Sequence, residues 1–401
     1  MTSPVPPISI ATALLALGTT AHADTFTEAE VIRLARTRDP QALVARASSA
    51  VAEAEEIGAA LYPNPSIGWE REHLPAGAPD TEDTLFVSVP LEFTGRRPAQ
   101  RALARAGTSA ARARAARTQS DVVARSLAAF YAALAADRDV EILARTVARL
   151  EEASRVVGRR HEEGTTSGYE RARIEIESEL AQTQLHQAEA TARTARAMLA
   201  ALLGADAGSL QLRGDFATVD PSPVGASADR PSLRLLRAAE LDARDAGDAA
   251  SWAWVPTLAL TGGLRIAETT ETKLGYVAGL SLSLPIFSRG QELVAESEAL
   301  ARLAAAEAHW AEREARFADV RAREQLVSAR AELVRFTVAT RERVELLERA
   351  ALSGYREGNR SVVELLDAQR ARTEVDRTCL DLEHLAKQAE VELRAARGEF
   401  E

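Results

Sequence analysis

Glu163-Gly164-Thr165-Thr166-Ser167 and Glu357-Gly358-Asn359-Arg360-Ser361 occupy matching places in the chain, since 358 − 164 = 194. Ser88-Val89-Pro90-Leu91 returns as Ser283-Leu284-Pro285-Ile286 at an offset of 195, and Tyr62-Pro63 as Val255-Pro256 at 193. Three widely spaced anchors hold one offset to within a residue, the mark of a duplicated unit of nearly half the chain. Each copy reads as a short helix, two strands, a very long helix, a glycine turn and a second long helix. Neither copy could bury its apolar surface alone, so the architecture must be an assembly.

The helical stretches around the two turns are far longer than usual: 97–157 and 291–353 before them, 169–203 and 361–397 after them. At 1.5 Å per residue, about 60 residues make a rod of about 90 Å. Heptad-like spacing recurs inside one rod, at Val320, Val327 and Val334 and at Leu326 and Leu333. Gly164 and Gly358 fit a left-handed turn conformation that other residues adopt at a cost. Nearer the start, Thr27 with Glu30 opens a helix over 28–38, Asp39-Pro40 breaks it, and a second helix runs to about Leu61.

The strands carry a two-residue period. Leu258, Leu260, Gly262, Leu264 and Ile266 share one face of the first, and Tyr276, Ala278, Leu280, Leu282, Leu284 and Ile286 one face of the second. Leu85, Val87, Val89 and Leu91 alternate likewise in the first copy, and 66–71 is a shorter strand with Ile67 and Trp69 on one face. Alternation over about ten residues suits a tilted strand of a membrane barrel, and equally a hairpin on a soluble sandwich. The adjoining rods favour the barrel. Four strands cannot close one, and open edges are not tolerated in lipid. Three chains would supply 3 × 4 = 12 strands, above the minimum of about eight; geometry alone also admits a dimer.

Composition agrees. The 401 residues are 46% hydrophobic, mostly alanine and leucine, with 4% aromatic and 27% charged residues, a mix for long helices packed through small side chains. A net charge of −10, with arginines interleaved among acids, argues against a nucleic-acid partner. Residues 1–23 hold no Lys, Arg, Asp or Glu, include the apolar run 8–17 and end in Ala21-His22-Ala23, as a secretory signal does. The expected division is a signal at 1–23, a first repeat at 24–203, a Gly/Pro/Ser/Asp-rich surface crossing at 204–229 and a second repeat at 230–401. Cys379 stands alone, so no internal disulfide is possible, and its neighbours Leu380, Leu382 and Leu385 make it a core residue.

The run from Gly354 to Ala368, with Tyr355, Arg360, Glu364 and Asp367, strongly resembles the helix-hairpin turn of TolC-family outer-membrane efflux channels. The duplicated plan extends that resemblance over essentially the whole mature chain. Leu61-Tyr62-Pro63-Asn64-Pro65-Ser66 and the stretch from Ser88 to Arg97 resemble the CzcC-type branch, associated with heavy-metal efflux. The resemblance implies a mainly α fold with a small β part. It implies a homotrimer whose twelve-stranded outer-membrane β-barrel continues into a periplasmic α-helical barrel, closed at the helix turns. A periplasmic membrane-fusion adaptor and an inner-membrane RND pump would engage that end. By the same resemblance Tyr355 and Arg360 hold the entrance shut, Glu364 and Asp367 line its constriction, and Glu170 answers them in the first copy. Gly164 and Gly358 mark the turns that meet the adaptor.

Spacing adds a physical reading. Glu364 and Asp367, three apart, face one side of a helix, and three copies would form a carboxylate ring that favours cations. The plainer reading is that they pair with Arg370 or Arg372 on a solvated face. No two of His22, His73, His161, His186, His309 and His384 have ligand spacing, so a zinc site is not expected. Glu70, Glu72, His73, Asp80, Glu82 and Asp83 read as an ordinary acidic loop outside the cell, and His161 as solvent-exposed. Arg96, Arg97, Arg101 and Arg105, at a helix start, suit headgroups or neighbouring acids. No nucleophile–base pair, phosphate loop or cofactor motif appears. The expected activity is an exit duct for metal cations, with a duct for drugs, organic compounds or peptides as the alternative cargo. A periplasmic coiled-coil scaffold or adhesin is the alternative of another class.

Overall fold

The structure, a computed structural model, describes residues 25–74, 80–219, 230–268 and 272–401. The segment read as a secretory signal, 1–23, lies outside the described residues. The first half runs β1 (Thr25–Phe26), α1 (Glu28–Arg38), α2 (Pro40–Ala60), β2 (Ser66–Leu74), β3 (Asp80–Leu91), α3 (Arg96–Glu162) and α4 (Gly168–Leu203). A 3-10 turn (Ala207–Ser209) and β4 (Gln211–Leu212) follow. The second half repeats the plan: α5 (Pro231–Ala250), β5 (Thr257–Glu268), β6 (Thr272–Ser283), α6 (Gln291–Arg356) and α7 (Val362–Ala396).

The first breaks in the chain have the local causes expected of them. The Thr27 hydroxyl accepts the Glu30 N–H, and the Asp39 carboxylate accepts those of Gln41 (2.7 Å) and Ala42 (3.3 Å) while Pro40 starts α2. The rods α3 and α6 have 67 and 66 residues, about 100 Å each. Both run further into the turns than the sequence suggested. Their seams are alanine-rich: Ala322, Leu326 and Ala329 of α6 meet Ala386, Ala389 and Leu393 of α7. Small side chains at the contact let helix axes approach closely.

The heptad reading of α6 holds only in part. Leu326 is buried, but Val320, Val327 and Val334 are exposed, as are Leu303, Trp310 and Phe317 at the same seven-residue spacing. The crossing 204–229 is also less superficial than expected in its described part. Leu210 is buried and joins a core with Val31, Leu34, Leu127, Phe130 and Leu199, while β4 pairs in parallel with β1. Apolar residues at 210, 212 and 216 supply the reason, since each finds that core. Cys379 is half-buried rather than core, beside the Thr337 hydroxyl.

The four long strands form one antiparallel sheet in the order β2-β3-β5-β6. Its register aligns Trp69, Leu85, Leu264 and Tyr276 in one row across all four strands, and Val89, Leu260 and Leu280 in another. These side chains are all exposed, so this face of the sheet is apolar as far as the Trp69 row, beyond which it carries Arg71, Asp83 and His73. The opposite face carries rows such as Ser66, Ser88, Thr261 and Gly279, and Glu70, Thr84, Arg265 and Gly275. The acidic stretch read as a loop is strand instead. Glu70, Glu72, His73, Glu82 and Asp83 lie within β2 and β3, because the ladder continues through paired polar residues up to Leu74 and Asp80. Across it Arg71 meets Asp83 and Arg265 meets Glu82, ion pairs that keep charged residues in register. Leu284 and Ile286, read as strand, lie beyond β6. Among the described residues, no helix is long and apolar enough to cross a membrane.

Candidate functional site

The far end of the rods is built from two near-identical helix endings. After α3, Gly164 N–H reaches His161 O (3.0 Å) and Thr165 N–H reaches Arg160 O (2.8 Å), with Gly164 at φ 73°. After α6, Gly358 N–H reaches Tyr355 O (3.1 Å) and Asn359 N–H reaches Gly354 O (2.8 Å), with Gly358 at φ 80°. Both are Schellman endings, in which a left-handed residue satisfies carbonyls the helix leaves open. The following helices are capped by serine. Ser167 accepts the Glu170 N–H, and Ser361 forms a full capping box with Glu364.

A shared apolar core binds the two turns together: Val157 and Ile174 from the first hairpin, Ala351, Tyr355, Val362, Leu365 and Leu366 from the second. Tyr355 is only 1% exposed there. Its burial pushes the phenol above its ordinary range, with Glu170 adding to the effect and Thr166 and Arg160 opposing it. The Arg160 guanidinium lies over the Tyr355 ring, 5.1 Å from its centre, and donates to the Tyr355 carbonyl at 2.5 Å. Arg370 Nε donates to Glu177 Oε1 at 2.7 Å and links the two return helices.

The other expected site residues line the outside of this core. Arg360 is exposed and its Nη1 lies 3.2 Å from Glu364 Oε1, within one helix turn. Glu364 also accepts the Ser361 N–H at 2.9 Å, so its carboxylate is half engaged in capping. Asp367 is exposed, and Glu170 is half-buried. Arg370 and Arg372 do not consume these acids: Arg370 pairs with Glu177, and Arg372 with Asp376 (3.0 Å) and Glu345 (3.6 Å). His161 is pinned, its Nδ1 3.0 Å from Thr166 O. Single-residue reading missed Arg160 and Glu177. Aligning the repeats at offset 194 would have singled out Arg160, because its counterpart is Gly354.

At the sheet end, acids and backbone hold the basic cluster. Arg96 pairs with Glu292 at 2.7 Å and Arg105 with Asp242 at 3.6 Å. Arg97 stacks on Tyr62, 3.5 Å from the ring centre, and donates to Leu61 O at 3.3 Å. These contacts fix the joint where sheet becomes rod.

Two duplicated units, each two strands and a long hairpin, match the model of a known family over residues 31–205 and 223–399. The chain belongs to the outer membrane efflux protein family. This family member is an efflux channel of the outer membrane, its helices extending into the periplasm. It is 25% identical over 311 residues to the nickel-cobalt-cadmium resistance protein NccC of Alcaligenes xylosoxydans xylosoxydans, covering 76% of this chain and 70% of that one. It is 28% identical over 277 residues to the nickel and cobalt resistance protein CnrC of Cupriavidus metallidurans, covering 67% of this chain and 65% of that one. Its fold matches that of the outer membrane protein VceC of Vibrio cholerae with a TM-score of 0.73 at 15% identity, over 92% of this chain and 96% of that one.

Proposed function

We propose that this family member is the passive exit duct of a tripartite RND-type system that exports heavy-metal cations, and that it has no enzymatic role. It works as a homotrimer, with each repeat (24–203 and 230–401) giving two barrel staves and two tunnel rods. The sheet carries this reading. Among the described residues it exposes one largely apolar face and leaves β2 and β6 as unpaired edges. Unpaired backbone groups cost several kcal/mol each in lipid, and pairing β2 of one copy with β6 of the next removes them. Resistance to nickel, cobalt and cadmium, in the names of two similar proteins, supports the cargo.

In this mechanism the pump supplies the energy, and the adaptor engages the Gly164 and Gly358 turns and opens the entrance. Tyr355, Arg360, Glu170, Glu364 and Asp367 form the gate and constriction. Three copies of Glu364 and Asp367 ring the axis and favour cations over anions. The test is a deletion strain with the purified protein in planar bilayers. The expected result is lower tolerance of nickel, cobalt or cadmium, restored by the gene, together with a cation-selective channel. Unchanged metal tolerance with new sensitivity to dyes or drugs would move the cargo to organic compounds. A monomer extracted by salt alone, without channels, would point to a periplasmic scaffold.

A further inference from the structure

The two turns differ at one equivalent pair of positions. The offset of 194 sets Arg160 against Gly354, third from the end of each rod. In the second copy Arg360 occupies that place: a Cβ on Gly354 would sit 2.7 Å from Arg360 Cδ and 2.9 Å from its Cγ, so a side chain there would displace Arg360. In the first copy the place is filled by a side chain that leaves its own helix. The Arg160 guanidinium reaches the end of α6, donates to the Tyr355 carbonyl at 2.5 Å, covers the Tyr355 ring, and would lie 3.3 Å from a Cβ on Gly358. That carbonyl also accepts the Gly358 N–H at 3.1 Å. Both of its lone pairs are thus engaged, one by its own turn and one by the other repeat. The matching carbonyl of the first turn, His161 O, receives the Gly164 N–H at 3.0 Å. Its counterpart donor would have to come from Gly354, which has no side chain.

From this one-way contact we infer that Arg160 is a positioning residue for the entrance. It holds the second turn, and the gate side chains that turn carries, in the resting conformation from within the same protomer. The inference rests on the duct reading for its effect on conductance, and on geometry alone for its effect on the turn. Arg160 acts through a main-chain carbonyl and the face of a ring, so the Tyr355 hydroxyl is dispensable to it.

The experiment compares full-length wild type, Arg160→Ala, Arg160→Gln, Tyr355→Phe and Arg160→Ala/Tyr355→Phe. Each is read by amide hydrogen exchange at 354–360 and by resting conductance in planar bilayers. Loss of a charge-assisted hydrogen bond predicts exchange and open fraction about tenfold higher in Arg160→Ala. The rise should be the same in the Tyr355→Phe background. Arg160→Gln keeps an N–H donor and should fall between, and it serves as the readout if Arg160→Ala does not assemble. Wild-type exchange at 354–360 in both Arg160 variants would overturn the clamp, as would a rise that disappears with Tyr355→Phe. A wild-type protein without conductance, whose exchange still responds to Arg160→Ala, would overturn the duct reading and leave the clamp standing.

Discussion

At the scale of single residues, buried charge is placed where the repeats must be held together. Lys387 lies 3.0 Å from Glu390, donates to Ala217 O at 2.9 Å, and both side chains are under 10% exposed. Lys387→Ala would strand the Glu390 carboxylate, at a cost of about 3–5 kcal/mol, measurable as a lower denaturation temperature of the folded protein. Next to it Glu28 receives the Tyr131 hydroxyl and pairs with Arg394 at 2.5 Å. Burial works to raise the Glu28 carboxyl, but Tyr131 and Arg394 outweigh it and leave it below its ordinary 4.5. A depressed carboxyl stabilises the fold above its unfolded value, and that stability is lost as pH falls through the folded value. Glu28→Gln should therefore flatten the acid side of the stability–pH profile below about pH 4.5 and leave the slope of its neutral side unchanged. On the proposed gate assignment, Tyr355→Phe with Arg360→Ser should raise single-channel conductance; unchanged conductance would remove both from the gate. The buried Lys387 had no signature in the sequence. It lies on a helix full of charges, and the groups its ammonium meets off its own helix, the Ala217 carbonyl and the face of Tyr131, are neighbours only in space.

At the scale of elements, most of the plan was legible because the punctuation is chemical. Thr27, Asp39-Pro40, Ser167 and Ser361 start helices through their own side chains, and Gly164 and Gly358 end them through positive φ. Legibility failed where the signal lies in the pairing rather than in the segment itself. The outer ends of β2 and β3 are polar, and only their mutual pairing shows them as strand. Val320, Val327 and Val334 have the spacing of a seam, yet periodicity does not say which neighbour fills it. The two turn glycines also separate by their surroundings. Gly164→Ala meets open space and bears only the left-handed penalty, about 1–2 kcal/mol. Gly358→Ala carries that penalty and also crowds Arg160 at 3.3 Å, so it should be the less stable variant in thermal unfolding. Equal losses would contradict the packing described at the second turn.

At the scale of the whole molecule, one chain leaves its surfaces unfinished in a consistent way. Among the described residues, the apolar sheet face, the edges at β2 and β6, and the line Leu303, Trp310, Phe317 on α6 are left exposed. Phe317→Glu combined with Val327→Glu should shift the proposed trimer, solubilised in detergent, to monomer on a sizing column while helix content is retained; a persisting trimer would place the seam elsewhere. The fold also ties its earliest and latest helices together. Glu28 of α1 binds Arg394 of α7, and Arg36 donates to Phe400 O at 3.1 Å, contacts that span more than 360 positions. Loop-closure entropy makes such contacts late ones. During export, α1 emerges long before its dock exists and has to wait through the passage of both hairpins. The last stretch to arrive is the one that locks the first in place, so a chain interrupted in transit cannot seal itself and stays open to proteolysis.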